Sequence, residues 1–194
     1  MALSLLALVL AAAPVFAGDE KRELGPHEHG HGVLNIAIEK SRVAMDLDVP
    51  GMDIVGFEHK PASGSDKEMA KKAEAVLANP LSLFKVPDSA GCKATEVKVA
   101  VETEGADEDN ANKNETAAKP QPGGEEEKHE GHNDYNVSYV LECAKPSEIK
   151  SIEFGYFKSF AGAEALTVNV ISEKAQNSYE VTREKPRLDL GGTM

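Results

Sequence analysis

Apolar and polar side chains alternate from residue 34 to residue 49. Leu34, Ile36 and Ile38 fall on one side, and Val43, Met45, Leu47 and Val49 form a second stripe after Lys40-Ser41. A period of two is that of a strand with one buried face, so two paired strands are predicted with their turn near Lys40-Ser41. That turn carries neither Asn-Gly nor Asp-Gly and does not declare its type. The same period recurs at residues 94–102, where Val97, Val99 and Val101 share a face, and again in DYNVSYVLECA, IKSIEFGYF, EALTVNVISE and NSYEVTRE. KSFAGAE suggests a short helical turn, and PRLDL closes the chain. Only SDKEMAKKAEAVLANP has the helical period: Ser65 and Glu68 form a capping-box pattern, Met69, Ala73, Val76 and Leu77 share a face, and Asn79-Pro80 stops the helix. The expected fold is mainly β, with antiparallel, sandwich-like sheets of about seven strands and one packed α-helix. An α+β arrangement is the alternative.

Residues 1–17, MALSLLALVLAAAPVFA, have the apolar character and small terminal residues of an export signal, with cleavage expected after Ala17. No Lys or Arg precedes the apolar core, and the run is short for a membrane span, which takes about 20 residues. The expectation is therefore a signal peptide at 1–17, a single β-rich domain at 18–194 and no stable membrane insertion after cleavage.

Net charge is −12, and it is uneven: from Glu102 to Asp134 eleven acidic residues face three basic ones, a net of −8. This stretch is rich in Asn, Pro and Gly and almost empty of large apolar residues, so residues 103–134 read as a disordered acidic insertion between two arms of a hairpin. An acidic surface repels phosphates, which argues against nucleic-acid or anionic-membrane partners. With no Trp and 5% aromatic residues, the core is expected to be mostly aliphatic. Cys92 and Cys143 flank the insertion. In an oxidising compartment an isolated pair is usually a disulfide, here expected to cinch the base of the insertion. The alternative, two thiols helping to bind metal, has neither CxxC nor Cys-His spacing behind it.

The chemistry concentrates in LGPHEHGHGVLNIAIEK. His27-Glu28-His29-Gly30-His31 matches the zinc-protease pattern H-E-x-x-H as text. That mechanism needs a helix, so that two imidazoles one turn apart meet one zinc. Gly25-Pro26 precedes the motif and Gly30 and Gly32 interrupt it, and each glycine disfavours a helix by about 1 kcal/mol. A non-enzymatic reading follows. In an extended chain the odd positions His27, His29 and His31 all face away from the core that Leu34, Ile36 and Ile38 enter. His59, in VGFEHKP, is the best remote partner, and Glu58 or Glu28 can add an oxygen. His129 and His132, in EKHEGHND, form a weak candidate site in the acidic loop, because loop ligands must be ordered on binding.

HEHGHGVLNIAIE, VGFEHKP, NPLSLF, a cysteine before an acidic His-containing loop and LECAKPSEIKSIEFGYFKSFAGAEALTVNVIS after it together resemble the ZrgA-type periplasmic zinc-uptake proteins of Gram-negative bacteria, long grouped as a domain of unknown function. The resemblance covers essentially the mature chain. It implies a periplasmic protein that captures Zn2+ and delivers it toward an importer, with a zinc ABC importer or its binding protein as partner. By position it implies His27, His29, His31 and His59 as the ordered metal ligands and His129 and His132 as the remnant of a His-rich loop. That loop is here dominated by Glu, Asp, Asn and Lys, so a metal-sponge role is not expected of it. Rival readings are a copper- or nickel-binding protein, since imidazole suits those ions too, and a secreted structural or adhesive β domain with incidental histidines.

Overall fold

The computed structural model describes residues 28–103 and 132–191. The expected signal peptide, His27, His129 and residues 104–131 of the acidic insertion lie outside them. In chain order the elements are β1 (His31–Glu39), β2 (Arg42–Pro50), α1 (Gly51–Val55), α2 (Gly64–Leu77), α3 (Pro80–Leu83), β3 (Phe84–Lys85), β4 (Cys92–Thr103), β5 (Asn133–Cys143), β6 (Ser151–Phe154), α4 (Tyr156–Ser159), β7 (Ala165–Ser172), β8 (Gln176–Thr182) and β9 (Arg187–Asp189). The fold is mainly β, as the alternation predicts. The strands form a six-stranded sheet in the order β4-β5-β2-β1-β7-β8 and a three-stranded sheet in the order β3-β6-β9. Among the described residues no helix is long and apolar enough to cross a membrane.

Alternation explains β1 and β2 directly. Leu34, Ile36, Ile38, Val43, Met45, Leu47 and Val49 are all buried, and Leu34 lies opposite Leu47 in the ladder. Lys40, at φ +52°, makes the turn, with Glu39 opposite Arg42. One pairing departs from the antiparallel expectation: β1 and β7 run parallel, from His31 opposite Ala165 to Ile38 opposite Ser172. A parallel pair needs a long crossover, and here the chain between β2 and β7 supplies it while building β4, β5 and the second layer.

That layer packs on one face of the large sheet and shares a single apolar core with it. The core is mostly aliphatic, as expected, and several of its few aromatic residues gather in this layer. Phe84 meets Tyr139 of β5 at 6.2 Å between ring centroids, Phe154 at 5.7 Å and Tyr156 at 6.1 Å. All three are ordinary separations for aromatic pairs. The Arg183 guanidinium donates to the carbonyls of Phe157, Phe160, Ala161 and Ala163 and so fixes the loop from α4 to β7.

Three expectations are corrected. First, α2 starts two residues earlier than the capping pattern suggested. Its N-cap is Ser63, whose hydroxyl accepts from the Asp66 N–H while the Asp66 carboxylate accepts from the Ser63 N–H. The buried face carries Ala70, Ala73 and Leu77, while Met69 and Val76 of the expected face are exposed. Second, Val97 and Val101 stay about 40% exposed on β4, an edge strand that the second layer covers poorly. Third, the Cys92–Cys143 disulfide forms but does not cinch the insertion. It joins the first residue of β4 to the last of β5, whereas the insertion leaves from the opposite end, where Thr103 faces Asn133. The ladder between the two ends is roughly 30 Å long at about 3.3 Å per residue. Thr103, Asn133 and Asp134, assigned to the insertion on composition, are strand residues.

Two stability predictions follow from these placements. The cysteines are 51 residues apart, a span whose closure is worth about 4 kcal/mol in the chain-entropy model. Urea unfolding of Cys92→Ser/Cys143→Ser should show a loss of about 2–5 kcal/mol. Burial, with Glu74 adding to it, pushes the Tyr135 hydroxyl up to about 12, and burial raises Tyr139 and Tyr156 as well. Unfolded tyrosine loses its proton near 10 while the folded chain retains it, so stability falls as pH rises from 10 toward 12. Tyrosinate absorbance from these three side chains should rise in the same cooperative step as loss of circular dichroism.

Candidate metal centre

Short-range geometry at the start of β1 decides where the histidines point. The N–H of His31 donates to the Glu28 carbonyl at 3.0 Å, closing a turn through His29 and Gly30, which has φ +83°. Glycine adopts that conformation without strain, and a Cβ there would meet the Glu164 Cγ at 3.2 Å. The Gly30 N–H donates to Asp53 Oδ1 at 2.7 Å, and its carbonyl accepts from the N–H groups of Glu164 and Ala165, each at 2.8 Å. The turn is therefore held from α1 on one side and from the start of β7 on the other. It also breaks the strand phase, so His29 and His31 do not stand side by side as an extended rack. His31 lies on the open face of the large sheet, with Nε2 hydrogen-bonded to Thr167 Oγ1 at 2.9 Å.

His29 turns to Glu58 instead. Its Nε2 lies 2.6 Å from Glu58 Oε1, and His132 Nδ1 lies 2.8 Å from Glu58 Oε2. One carboxylate thus gathers two imidazole nitrogens from segments more than seventy residues apart. The two rings are more than half exposed, while the carboxylate is largely covered. Glu58 follows α1 by way of Gly56 and Phe57. Its backbone is tied to the neighbour of His132: the fully buried Asn133 amide, with its nitrogen facing these carbonyls, donates to Glu58 O at 3.0 Å and Phe57 O at 3.3 Å.

His59 does not join this group. Its ring stacks on Phe57 at 4.7 Å, and its Nδ1 bonds the Lys60 carbonyl at 3.2 Å. Of the histidines expected to form the ordered site, the structure brings His29 to Glu58 and engages His31 and His59 elsewhere. His132, expected only as a weak loop ligand, is the one that completes the arrangement. Among the described residues no group of three or more His, Cys, Asp or Glu side chains is placed so that it could hold a metal ion as it stands. Around Glu58 the nitrogens hydrogen-bond to the carboxylate.

The surroundings are acidic. A cavity of about 590 Å³ beside His29 is lined also by Asp53, Glu164 and Ser159. Burial raises the Asp53 carboxyl above its ordinary value, with Glu164 and Glu58 adding to the rise, against the Gly30 hydrogen bond and the His29 ring, which lower it. For Glu58, partial burial pushes upward, but the hydrogen bonds and charges of His132 and His29 outweigh it and hold the carboxyl below its ordinary value.

A family model described as ZrgA family zinc uptake protein matches residues 26–190. The chain belongs to this family. No curated protein matches it. Membership in the ZrgA family assigns a role in zinc uptake and, with the Cys92–Cys143 bridge, fits an extracytoplasmic protein.

The lowered Glu58 value carries a sign. A depressed carboxyl contributes stability that is present above its unfolded value, 4.5, and is lost as pH falls through the folded one. The difference in thermal midpoint between the metal-free protein and Glu58→Gln should be present at pH 6 and vanish as the solution is acidified below 4.5.

Proposed function

We propose that the protein is a non-enzymatic, periplasmic zinc-binding protein that captures Zn2+ at Glu58 with His29 and His132 and passes it toward an importer, either a zinc ABC transporter or its binding protein. The observation that carries this reading is the convergence of two imidazole nitrogens on one carboxylate. Zinc takes nitrogen and carboxylate oxygen ligands at about 2.0–2.2 Å in a tetrahedron. The three side chains supply three such donors, and His27, two residues before His29, is the sequence candidate for the fourth. In the metal-free protein the carboxylate keeps both nitrogens near one point, and an incoming ion replaces the protons that bridge them. The acidic surroundings favour a cation over an anion. The turn at residues 28–30 and the strand that begins at His31 speak against the H-E-x-x-H helix of a zinc protease and support the non-enzymatic reading.

Imidazole ligands bind zinc when neutral, so affinity should fall steeply between pH 7.5 and pH 5. Competition titrations against a zinc chelator measure this, and equal affinity at both pH values would contradict imidazole ligation. At pH 7.5, His29→Ala, His132→Ala and Glu58→Ala should each weaken binding by more than about tenfold, whereas His59→Ala should not. The same donor set suits copper and nickel, and competition between buffered metals decides among them.

A further inference from the structure

Asp53 is a buried carboxylate next to the proposed site that ligates nothing in it. It is 3% exposed, which is rare for an unpaired acid. Its Oδ1 accepts from the Gly30 N–H at 2.7 Å, and its Oδ2 has no hydrogen-bond partner. The residue sits on α1, five positions before Glu58. It is therefore linked along the chain to one member of the proposed site and through space to the turn that carries another. Gly162 lets the loop before β7 lie directly on this point, since a Cβ there would come within 2.8 Å of the Asp53 Cα. The other backbone bonds holding the His29 turn, the two to the Gly30 carbonyl, come from Glu164 and Ala165 at the start of β7; the bond to Asp53 is the one that comes from α1.

We propose that Asp53 is the positioning residue of the metal centre: its hydrogen bond to Gly30 docks the His29 turn onto α1 and thereby sets the distance between His29 and Glu58. The inference rests on the reading of His29, His132 and Glu58 as zinc ligands. Outer partners that orient ligands typically govern metal affinity by about 10–100-fold, because a misplaced ligand must be reorganised when the ion binds.

Zinc competition titration of the full chain at pH 7.5, with zinc-edge X-ray absorption to count imidazole ligands, tests it. Asp53→Leu keeps the approximate shape and removes the acceptor, and should weaken zinc binding by about 10–100-fold and lower the imidazole count by one. Asp53→Asn keeps an oxygen for the Gly30 N–H and should stay near wild-type in both readouts. Asp53→Ser, with a hydroxyl too short to reach Gly30, replaces the leucine variant if that one fails to fold by circular dichroism. Wild-type affinity and imidazole count in the leucine or serine variant would overturn the proposal. So would an asparagine variant as weak as these, because the effect would then belong to the charge. If His29→Ala and Glu58→Ala leave zinc binding unchanged, the ligand assignment itself has failed, an outcome separate from the Asp53 comparison.

Discussion

Strand β1 is hydrogen-bonded along both edges, antiparallel to β2 and parallel to β7. Its even positions from Gly32 to Ile38 are buried and its odd positions are half-covered. A slip of one residue against either neighbour would put Leu34, Ile36 and Ile38 in water, so the register is held by the core itself. Once β1 is fixed, its first residue, His31, is fixed opposite Ala165, and the turn before it has to leave the sheet within a few ångströms of the start of β7. The His29 side of the candidate site is hung from that junction.

The two imidazoles reach Glu58 by different routes. His29 arrives on the left-handed turn at Gly30, gripped by Asp53 and by the backbone of Glu164 and Ala165. His132 arrives because β5 begins at Asn133 and pairs with the end of β2, with Asp134 opposite Pro50. Since β2 runs straight into α1, the same ladder carries Glu58 to the place where β5 starts. The site is an outcome of sheet register at one end of the molecule, and it needs no dedicated scaffold.

Elements with a strong local period were legible in the sequence. The β1–β2 hairpin, β4, β5, β7 and β8 alternate, and α2 has the helical period. The parallel pairing of β1 with β7 was not, because alternation reports which face is buried and is silent about the partner. Nor were β3 and β9, which are two and three residues long, too short for any period to register. The α2 start is ambiguous in sequence because Ser65–Glu68 and Ser63–Asp66 both fit a capping box, and only the three-dimensional contact distinguishes them. At the site, the sequence marks Glu58 only as an optional oxygen donor and His132 only as a loop residue, since their meeting depends on a register between distant strands. His31 looked equivalent to His29 until the backbone turned at Gly30. Asp53 left one faint trace, an acid inside the apolar run of GMDIVGF.

The large sheet also ends in an open edge. No described residue pairs with the outer side of β4, and Val97 and Val101 lie exposed on it. A twelve-residue edge with apolar side chains is a template on which a second copy of the chain can add. Yet Lys93, Glu96, Lys98 and Glu102 punctuate the same strand. Two copies joined in parallel register along this edge would set lysine against lysine and glutamate against glutamate, an unfavourable cross-strand arrangement. The charges spaced along β4 thus act as gatekeepers, discouraging fibre-like growth from a strand that the core leaves half uncovered.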